Sequence, residues 1–205
     1  LILKKYSKIM DYGMLVKFAR DSVRVYLKRG IYIDIPPDIP EHFKDKRGVF
    51  VTIKSYPSMR LRGCIGYPEP ILPLIEATRD SAISAAISDP RFEPLSLEEL
   101  DRVVFEVTVL TKPEQIEVRD PKEFPKHIKV GRNGLIVERG SFKGLLLPQV
   151  AKEFKWSEED FLSETCMKAG LPPDAWLIPG TKVYRFQGEV FVEREPNGEV
   201  VEEEL

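Results

Sequence analysis

Alternating apolar and polar residues predict several β-strands along the chain. In the clearest run, over residues 103–111, every second residue from Val103 to Val109 is a valine or phenylalanine, which is typical of a strand with one apolar face. Similar runs predict strands at 48–54 and 61–65. Further strands are predicted at 145–150 and as one or two strands over 181–193, together with a hairpin over 129–138 whose turn is at 131–134.

Helical spacing of apolar residues predicts three helices between these strands. The first covers 11–29 and ends at Gly30, and the second covers 73–88 with Pro73 in its first turn. Ser157 is a natural N-cap for a third helix that reaches residue 168 or 169, and Ser96 with Glu99 forms a capping-box pattern before a short helical turn. Because helices and strands do not alternate regularly, we predict an α+β fold rather than a doubly wound parallel sheet.

The chain contains a faint internal repeat. The run GVFV at 48–51 leads to LRGC at 61–64 and then to a helix, and the run GLIV at 134–137 leads to LLLP at 145–148 and then to a helix. The order of elements predicts two related β-rich, helix-flanked units at about 48–111 and 134–193, within one domain over 1–205.

Composition narrows the classes of function. The 205 residues carry a net charge of −2, which gives no overall attraction to nucleic acid or to an anionic membrane. No apolar run approaches the roughly 20 residues that cross a bilayer, and no secretory signal is visible. Two cysteines make no disulfide framework, so we expect a cytoplasmic protein, and few Asn and Gln beside many charged residues resemble a thermophile's composition.

Motif inspection predicts neither a cofactor nor a metal site. The chain lacks G-x-G-x-x-G, the P-loop, G-x-S-x-G and H-E-x-x-H patterns. A zinc site would need both histidines and both cysteines to converge from distant positions, so we discount it. Pairing of Cys64 with His42 or His127 stays open but has no support from spacing.

The most unusual stretch is LRGCIG at residues 61–66. In an unbroken strand Arg62, Cys64 and Gly66 would share one face, where the arginine would lower the pKa of the thiol. A glycine within a strand indicates that another group approaches the backbone closely. That group could be a ligand, an anion or a neighbouring helix, and Cys64 could equally be a small buried apolar residue.

Two further places carry charges in unusual settings. Glu106 lies within an otherwise apolar or neutral strand. Three interpretations are open: a solvated residue, a partner of Arg62, or a base near Cys64. The segment DPRF at 89–92 combines an acid, a rigid turn and a cation, and its simplest interpretation is a helix stop with a local ion pair.

The hexapeptide LRGCIG resembles the hallmark of the AMMECR family, which is named for a human chromosomal-deletion syndrome. DPRF at 89–92, VTVLT at 107–111, GLIV at 134–137 and LPQV at 147–150 resemble the family pattern in the same order. ETC at 164–166 and AGLP at 169–172 are similar to its prokaryotic branch, which we identify as archaeal. The resemblance covers essentially the whole chain.

The resemblance implies an α+β fold with two related units, in two unequal lobes that meet at a cleft lined by the hallmark residues. It implies Cys64 as a catalytic candidate and, as binding candidates, Arg62, Gly63, Gly66, Asp89, Arg91, Phe92, Pro148 and Gln149. By the same resemblance, animal members of the family look to carry an acidic residue at the position of Gln149. No acid–base role is therefore carried over to Gln149. Partners related to Memo-like and radical-SAM proteins are implied by the same resemblance.

Three functions are therefore compared. The first is a cleft around 61–66 that binds a small molecule or peptide, either without chemistry or as an enzyme in which Cys64 attacks and Arg62 or Arg91 binds an acidic group. The second is a non-catalytic protein-interaction module that acts with Memo-like or radical-SAM partners. The third, nucleic-acid binding, needs a basic stripe and is disfavoured by the net charge; its candidates are Arg60, Arg62, Arg91, Arg132 and Lys143.

Overall fold

The computed structural model describes residues 2–203, so Leu1, Glu204 and Leu205 of the predicted 1–205 domain lie outside the described residues. The chain divides into two compact units. The first comprises residues 2–110 and 189–203, and the second comprises residues 111–188. Each unit has its own cluster of buried apolar side chains.

The helices and strands follow one another in a mixed order. They are α1 (Ile2–Arg29), β1 (Val49–Ser55), β2 (Arg60–Tyr67), α2 (Leu74–Ile87), β3 (Val103–Leu110), β4 (Glu114–Gln115), β5 (Gly134–Arg139), β6 (Phe142–Leu146), α3 (Pro148–Glu153), α4 (Glu158–Lys168), β7 (Lys182–Phe186), β8 (Gly188–Glu193) and β9 (Val200–Glu203). Short 3-10 helices cover Glu41–Phe43, Leu97–Arg102, Pro121–His127 and Ala175–Leu177. Helices and antiparallel strand pairs confirm the predicted α+β class.

A five-stranded sheet with the order β2-β1-β3-β8-β9 forms the centre of the first unit. The strand β1 is antiparallel to both β2 and β3. Its alternate residues Val49, Val51 and Ile53 are fully buried, and α1 and α2 contact each other and the strands β1 to β3. Burial of these apolar side chains is the main stabilising contribution to this unit.

A buried ion pair joins α1 to the sheet. Arg20 on α1 is 2% exposed and Glu193 on β8 is 1% exposed, and Nε of Arg20 donates to Oε1 of Glu193 at 2.7 Å. The guanidinium also donates to the carbonyl oxygens of Leu100 and Val103, and Glu193 accepts from the backbone N–H of Phe105. These extra hydrogen bonds satisfy both charges, which is the condition under which a buried pair is tolerated.

A four-stranded sheet with the order β4-β7-β5-β6 forms the second unit. The helix α4 contacts β5 and β6, and the predicted N-cap Ser157 forms a capping box with Asp160 at its N-terminus. Trp176, Phe161 and Leu135 belong to the buried cluster of this unit. Here too the first strand of the run, β5, lies between its antiparallel neighbours β6 and β7.

Most of the predicted elements are confirmed, and two are wrong. The hairpin turn is at residues 140–141 rather than at 131–134, because Gly140 adopts a φ of 60° and β5 pairs with β6 on either side of it. The predicted strand over 145–150 ends at Leu146, because Pro148 starts α3 in place of a strand residue. The proposed duplication over 48–111 and 134–193 stays a prediction: both stretches begin with two strands and a helix, but the second has two helices, α3 and α4, before its next strand. No helix within residues 2–203 has the length and apolar character of a membrane span.

Candidate functional site

The hexapeptide 61–66 lies on β2, which is the edge strand of the five-stranded sheet. In the register with β1, Cys64 is opposite Thr52, and Gly63 is opposite Ile53. The next pair joins Leu61 to Lys54, so a β-bulge leaves Arg62 without an opposite residue. The strict alternation that the sequence suggested is therefore broken at Arg62.

Arg62 is fully engaged in holding the segment that precedes β3. Its Nε and Nη2 donate to the two carboxylate oxygens of Glu99 at 3.1 and 3.2 Å, and its Nη1 donates to the carbonyl oxygen of Glu93 at 2.9 Å. Glu99 also accepts from the N–H of Ser96, so it completes the capping box at the same time. The prediction that Arg62 lowers the pKa of Cys64 is wrong. The bulge interrupts the alternation that would have placed Arg62 beside the thiol, and the guanidinium of Arg62 pairs with Glu99 instead.

The glycines of the hexapeptide have a steric explanation. A Cβ atom on Gly63 would lie 2.1 Å from the carbonyl oxygen of Ala85, so the absence of a side chain lets α2 pack directly on β2. A Cβ atom on Gly66 would lie 2.3 Å from the carbonyl oxygen of Val49 and 2.5 Å from the ring of Phe50. Close backbone packing, rather than an approaching ligand, accounts for both glycines.

The DPRF segment clamps the outer edge of β2 at Cys64. The carboxylate of Asp89, 2% exposed, accepts from the N–H of Cys64 at 2.8 Å and from the N–H of Arg91 at 3.1 Å. Nε and Nη2 of Arg91 donate to the same carboxylate at 2.9 and 2.7 Å, and Nη2 also donates to the carbonyl oxygen of Cys64 at 3.3 Å. The backbone groups of an edge strand that would otherwise be unpaired are thus satisfied by side chains.

The clamp includes the local ion pair predicted for residues 89–92 and adds hydrogen bonds to the backbone of Cys64. The hydrogen bonds from Arg91, joined by the N–H groups of Cys64 and Arg91, hold the pKa of Asp89 well below its usual range. Asp89 is therefore ionised at neutral pH and fixes the guanidinium of Arg91. The guanidinium also lies 5.5 Å from the ring centre of Phe92, which supports it from a third side.

The thiol of Cys64 lies on the other face of the sheet from Gly63, in a row of polar side chains that also contains Thr52 and Glu106. Oγ1 of Thr52 donates to Sγ of Cys64 at 3.3 Å, and Thr52 is opposite Glu106 in the register between β1 and β3. Burial raises the pKa of Cys64, an effect that the hydrogen bond from Thr52 and the charge of Arg91 only partly offset. The carboxylates of Glu106 and Asp89 raise this pKa further, so Cys64 is a neutral thiol at neutral pH.

Glu106 has a different partner from the one that the sequence suggested. Its carboxylate pairs with Nζ of Lys54 on the neighbouring strand, and Arg62 is not in contact with it. Glu106 is 9% exposed, so the simpler prediction of a solvated residue is wrong. The sequence analysis did not single out Lys54 and Thr52. They could have been found as the polar residues that alternate with the apolar residues of β1, on the same face of the sheet as Cys64 and Glu106.

Neither histidine is paired with Cys64 among the described contacts. His42 packs against Tyr12 and Phe43, and its Nε2 lies 3.9 Å from Asp11. His127 ends a 3-10 helix of the second unit, where its carbonyl oxygen accepts from Arg185. Within residues 2–203 no cluster of three or more His, Cys, Asp or Glu side chains is arranged to hold a metal ion.

The remaining predicted site residues belong to the second unit. Pro148 is buried in the first turn of α3, and Gln149 beside it is exposed. Their participation in a site with Cys64 stays a prediction. The other cysteine, Cys166, is fully buried on α4 and belongs to the core of the second unit, where burial raises its pKa to about 11.

Comparison with known proteins identifies the family. The model of the AMMECR1 family matches residues 16–191. Protein MJ0810 of Methanocaldococcus jannaschii is 53% identical over 191 residues, which cover 93% of this chain and 94% of that protein. Protein PH0010 of Pyrococcus horikoshii is 56% identical over 189 residues, which cover 91% of both proteins.

A solved structure agrees in fold as well as in sequence. The crystal structure of the uncharacterised protein PH0010 from Pyrococcus horikoshii superimposes with a TM-score of 0.75 at 54% identity, covering 94% of this chain and 96% of that chain. The family match, the archaeal relatives and this structure confirm the resemblance found in the sequence. The chain belongs to the AMMECR1 family.

Proposed function

We propose that the chain is a binding protein whose site lies at Cys64 and receives the acidic group of a small molecule or peptide. The observation that carries this proposal is the orientation of Arg91. Its side chain is 54% exposed, yet the buried carboxylate of Asp89 fixes it through two hydrogen bonds. An arginine held in this way loses little conformational freedom when it binds a carboxylate.

Part of the guanidinium is free for such a contact. Nε and Nη2 of Arg91 are engaged with Asp89, whereas Nη1 donates to no other residue of the described chain. Arg62, the other candidate for this role, has Nε, Nη1 and Nη2 all engaged. Arg91 is therefore the cation that supports anion binding, and Arg62 is a positioning residue for the backbone.

The protonation state of Cys64 favours binding over nucleophilic catalysis. A nucleophilic cysteine needs a lowered pKa or an adjacent base, and burial together with two nearby carboxylates raises the pKa of this thiol instead. Thr52 donates to the sulfur and is not a base. A neutral thiol beside Thr52 and Glu106 instead offers a weak donor and acceptor surface to a polar ligand.

Alkylation of Cys64 by two reagents tests the role of Arg91. Iodoacetate carries a carboxylate and iodoacetamide is neutral, so an anion site beside the thiol raises the ratio of their rates above the ratio for free N-acetylcysteine. We expect Arg91→Gln to return the ratio to the free-thiol value and Arg91→Lys to retain part of it. Because both reagents consume the thiolate, any change in the pKa of Cys64 cancels in the ratio.

Peptide mass spectrometry would measure the two cysteines separately. Cys166, which is fully buried, serves as the internal control and should remain unmodified while the protein is folded. A wild-type ratio equal to that of N-acetylcysteine, or one unchanged by Arg91→Gln, would refute the proposed anion site.

A second candidate function is the interaction module, and the turn between β1 and β2 favours it. Tyr56 and Met59 in this turn and Leu61 near the start of β2 are each about two-fifths exposed (40%, 41% and 41%), although all three are apolar or aromatic. Adjacent exposed apolar side chains are typical of protein contacts. If a Memo-like or radical-SAM protein binds here, Met59→Ser/Leu61→Ser should abolish co-elution of the two purified proteins in size-exclusion chromatography and leave the iodoacetate preference unchanged.

A further inference from the structure

A cationic pocket of about 400 Å³ lies within the second unit, among residues that no motif of the sequence singled out as a group. Four cationic side chains line it, from Lys126, Lys129, Arg132 and Arg185, against the single carboxylate of Glu114. Its volume lies within the range of small-molecule sites. Such a concentration of positive charge is unusual in a chain whose net charge is −2.

A hydrogen-bonded loop holds two of these cations. The side chain of Asn133 is 3% exposed, and its Oδ1 accepts from the N–H of Lys129 at 2.8 Å. The N–H groups of Arg132 and Asn133 both donate to the carbonyl oxygen of Lys129, at 3.1 and 2.9 Å. Gly131 completes the loop with a φ of 81°, a conformation that side-chain-bearing residues rarely adopt. This loop is the segment for which the sequence suggested a hairpin turn.

The third cation is fixed from the neighbouring strand. Arg185 on β7 donates from Nη1 to the carbonyl oxygen of His127 at 3.0 Å, and its Nη2 lies 3.5 Å from the carboxylate of Glu114. Lys126 is held only loosely, since its Nζ lies 3.8 Å from the carboxylate of Glu123 on the same 3-10 helix. The pocket is therefore lined by cations whose backbones or side chains are already positioned.

Two of the cations have no counter-charge. Lys129 and Arg132 are exposed, and neither makes an ion pair with another residue in the described part of the chain. Positive charges gathered in one concave site raise the local concentration of anions and repel cations. Because Arg132 can bind an oxyanion through its planar fork and Lys129 adds a second unpaired positive charge, the pocket matches a ligand with more than one negative oxygen.

We infer that this pocket is a second binding site, independent of Cys64, for a small molecule that carries at least two negative charges. Phosphate esters and polycarboxylates share this chemistry. The concave shape and the nearly buried Asn133 and Phe186 in its lining favour a small molecule over an extended nucleic-acid backbone. The net charge of the whole chain favours the same choice.

Titration calorimetry with inorganic pyrophosphate and with citrate tests the inference on the full-length protein. We expect at least one probe to bind with a dissociation constant below about 1 mM, and the probe that binds more tightly identifies the phosphate or the carboxylate class. Lys129→Gln/Arg132→Gln should weaken this binding at least about tenfold, because it removes two charge-assisted contacts. Thermal unfolding of this variant should match wild type, since neither side chain has a partner within the described residues.

The matched control removes the same charge elsewhere in the second unit. Lys122→Gln/Lys168→Gln changes two exposed lysines outside the pocket lining and should leave the affinity within about twofold of wild type. Equal weakening by both double variants would show non-specific attraction and would overturn the inference. Failure of both probes to bind below about 1 mM would also overturn it, as would tight binding of a single-stranded RNA that pyrophosphate and citrate do not displace.

Discussion

Replacement of Asp89 by asparagine tests how the clamp holds β2. Asparagine has nearly the same shape as aspartate, but it has no charge and only one carbonyl oxygen to accept hydrogen bonds. The carboxylate of Asp89 accepts four hydrogen bonds, two from the backbone N–H groups of Cys64 and Arg91 and two from the guanidinium of Arg91. The variant therefore leaves at least one partly buried N–H without its acceptor.

The size of the effect follows from which of these bonds are buried. A hydrogen bond to a charged group contributes about 1.5–3 kcal/mol, whereas a solvent-exposed ion pair contributes about 0–1 kcal/mol. Because Arg91 is 54% exposed and regains water, its share of the loss is small, and the backbone bonds dominate. We expect Asp89→Asn to lower the free energy of unfolding by about 2–4 kcal/mol.

Guanidinium chloride unfolding, followed by far-UV circular dichroism, measures this change. The chemically matched control is Asp21→Asn, because Asp21 is 49% exposed and, among the described residues, pairs only with Arg24 on the same helix, so its loss should cost at most about 1 kcal/mol. Hydrogen exchange provides a second measurement, in which the N–H of Cys64 should exchange faster in Asp89→Asn. Equal stability of the two variants, or unchanged exchange at Cys64, would refute the clamp.

The clamp also predicts a specific pH dependence. Because hydrogen bonds from Arg91 hold the pKa of Asp89 below that of an unfolded aspartate, about 3.9, the contribution of Asp89 to stability is complete above that value. It is lost as the pH falls through the lower, folded pKa. The difference in unfolding free energy between wild type and Asp89→Asn should therefore be constant at neutral pH and shrink below about pH 4.

Two further substitutions probe packing around the site, and the same denaturation measures both. Gly63→Ala should cost about 3 kcal/mol or more, because its Cβ would lie 2.1 Å from the carbonyl oxygen of Ala85, whereas Gly13→Ala meets only an ordinary 3.7 Å contact and should stabilise α1 by about 0.5–1 kcal/mol. Similar effects at the two glycines would contradict this explanation. Arg20→Met should cost about 3–5 kcal/mol, because it leaves Glu193 buried and unpaired, and a loss below about 1 kcal/mol would show that the pair is not buried as described.

Local patterns predicted the elements well where the local sequence determines the structure. The alternation in β1 and β3, Gly30 after α1, the capping box at Ser96 and the N-cap at Ser157 all describe interactions between residues that are close in sequence. The hairpin was misplaced because Gly131 and Gly140 are equally suitable turn residues. The choice between them is made by Asn133, whose buried side chain closes the loop at Lys129.

The chemistry around Cys64 depended on contacts that periodicity does not specify. Arg62 was expected beside the thiol, but a bulge and a partner 37 residues away, Glu99, direct its charge elsewhere. Asp89 appeared as a helix stop, and only the folded chain shows that it accepts from the N–H of Cys64, 25 residues earlier. The sequence therefore singled out the stretch around Cys64 but misassigned the source of its electrostatics.

A repeated structural device accompanies the proposed duplication. Gly63 on β2 lets the backbone of α2 approach at Ala85, and Gly144 on β6 lets the C-terminal end of α4 approach, since its Cβ would lie 2.4 Å from the backbone nitrogen of Ala169. In both units a glycine on the second strand of the run thus makes room for a helix, α2 in the first unit and α4 in the second. This similarity supports the predicted relation between the two stretches.

The rate of Cys64 alkylation by iodoacetamide as a function of pH tests most directly the claim that Cys64 is not a nucleophile. Burial and the carboxylates of Glu106 and Asp89 raise the pKa of Cys64, so the midpoint of the profile should lie above the ordinary thiol value of about 8.5. Cys166 should stay unmodified throughout, which confirms that the protein remains folded. A midpoint above about 8.5 is the result expected for a neutral thiol in a binding site, whereas a midpoint below it would reveal an activated thiolate and contradict the non-catalytic function.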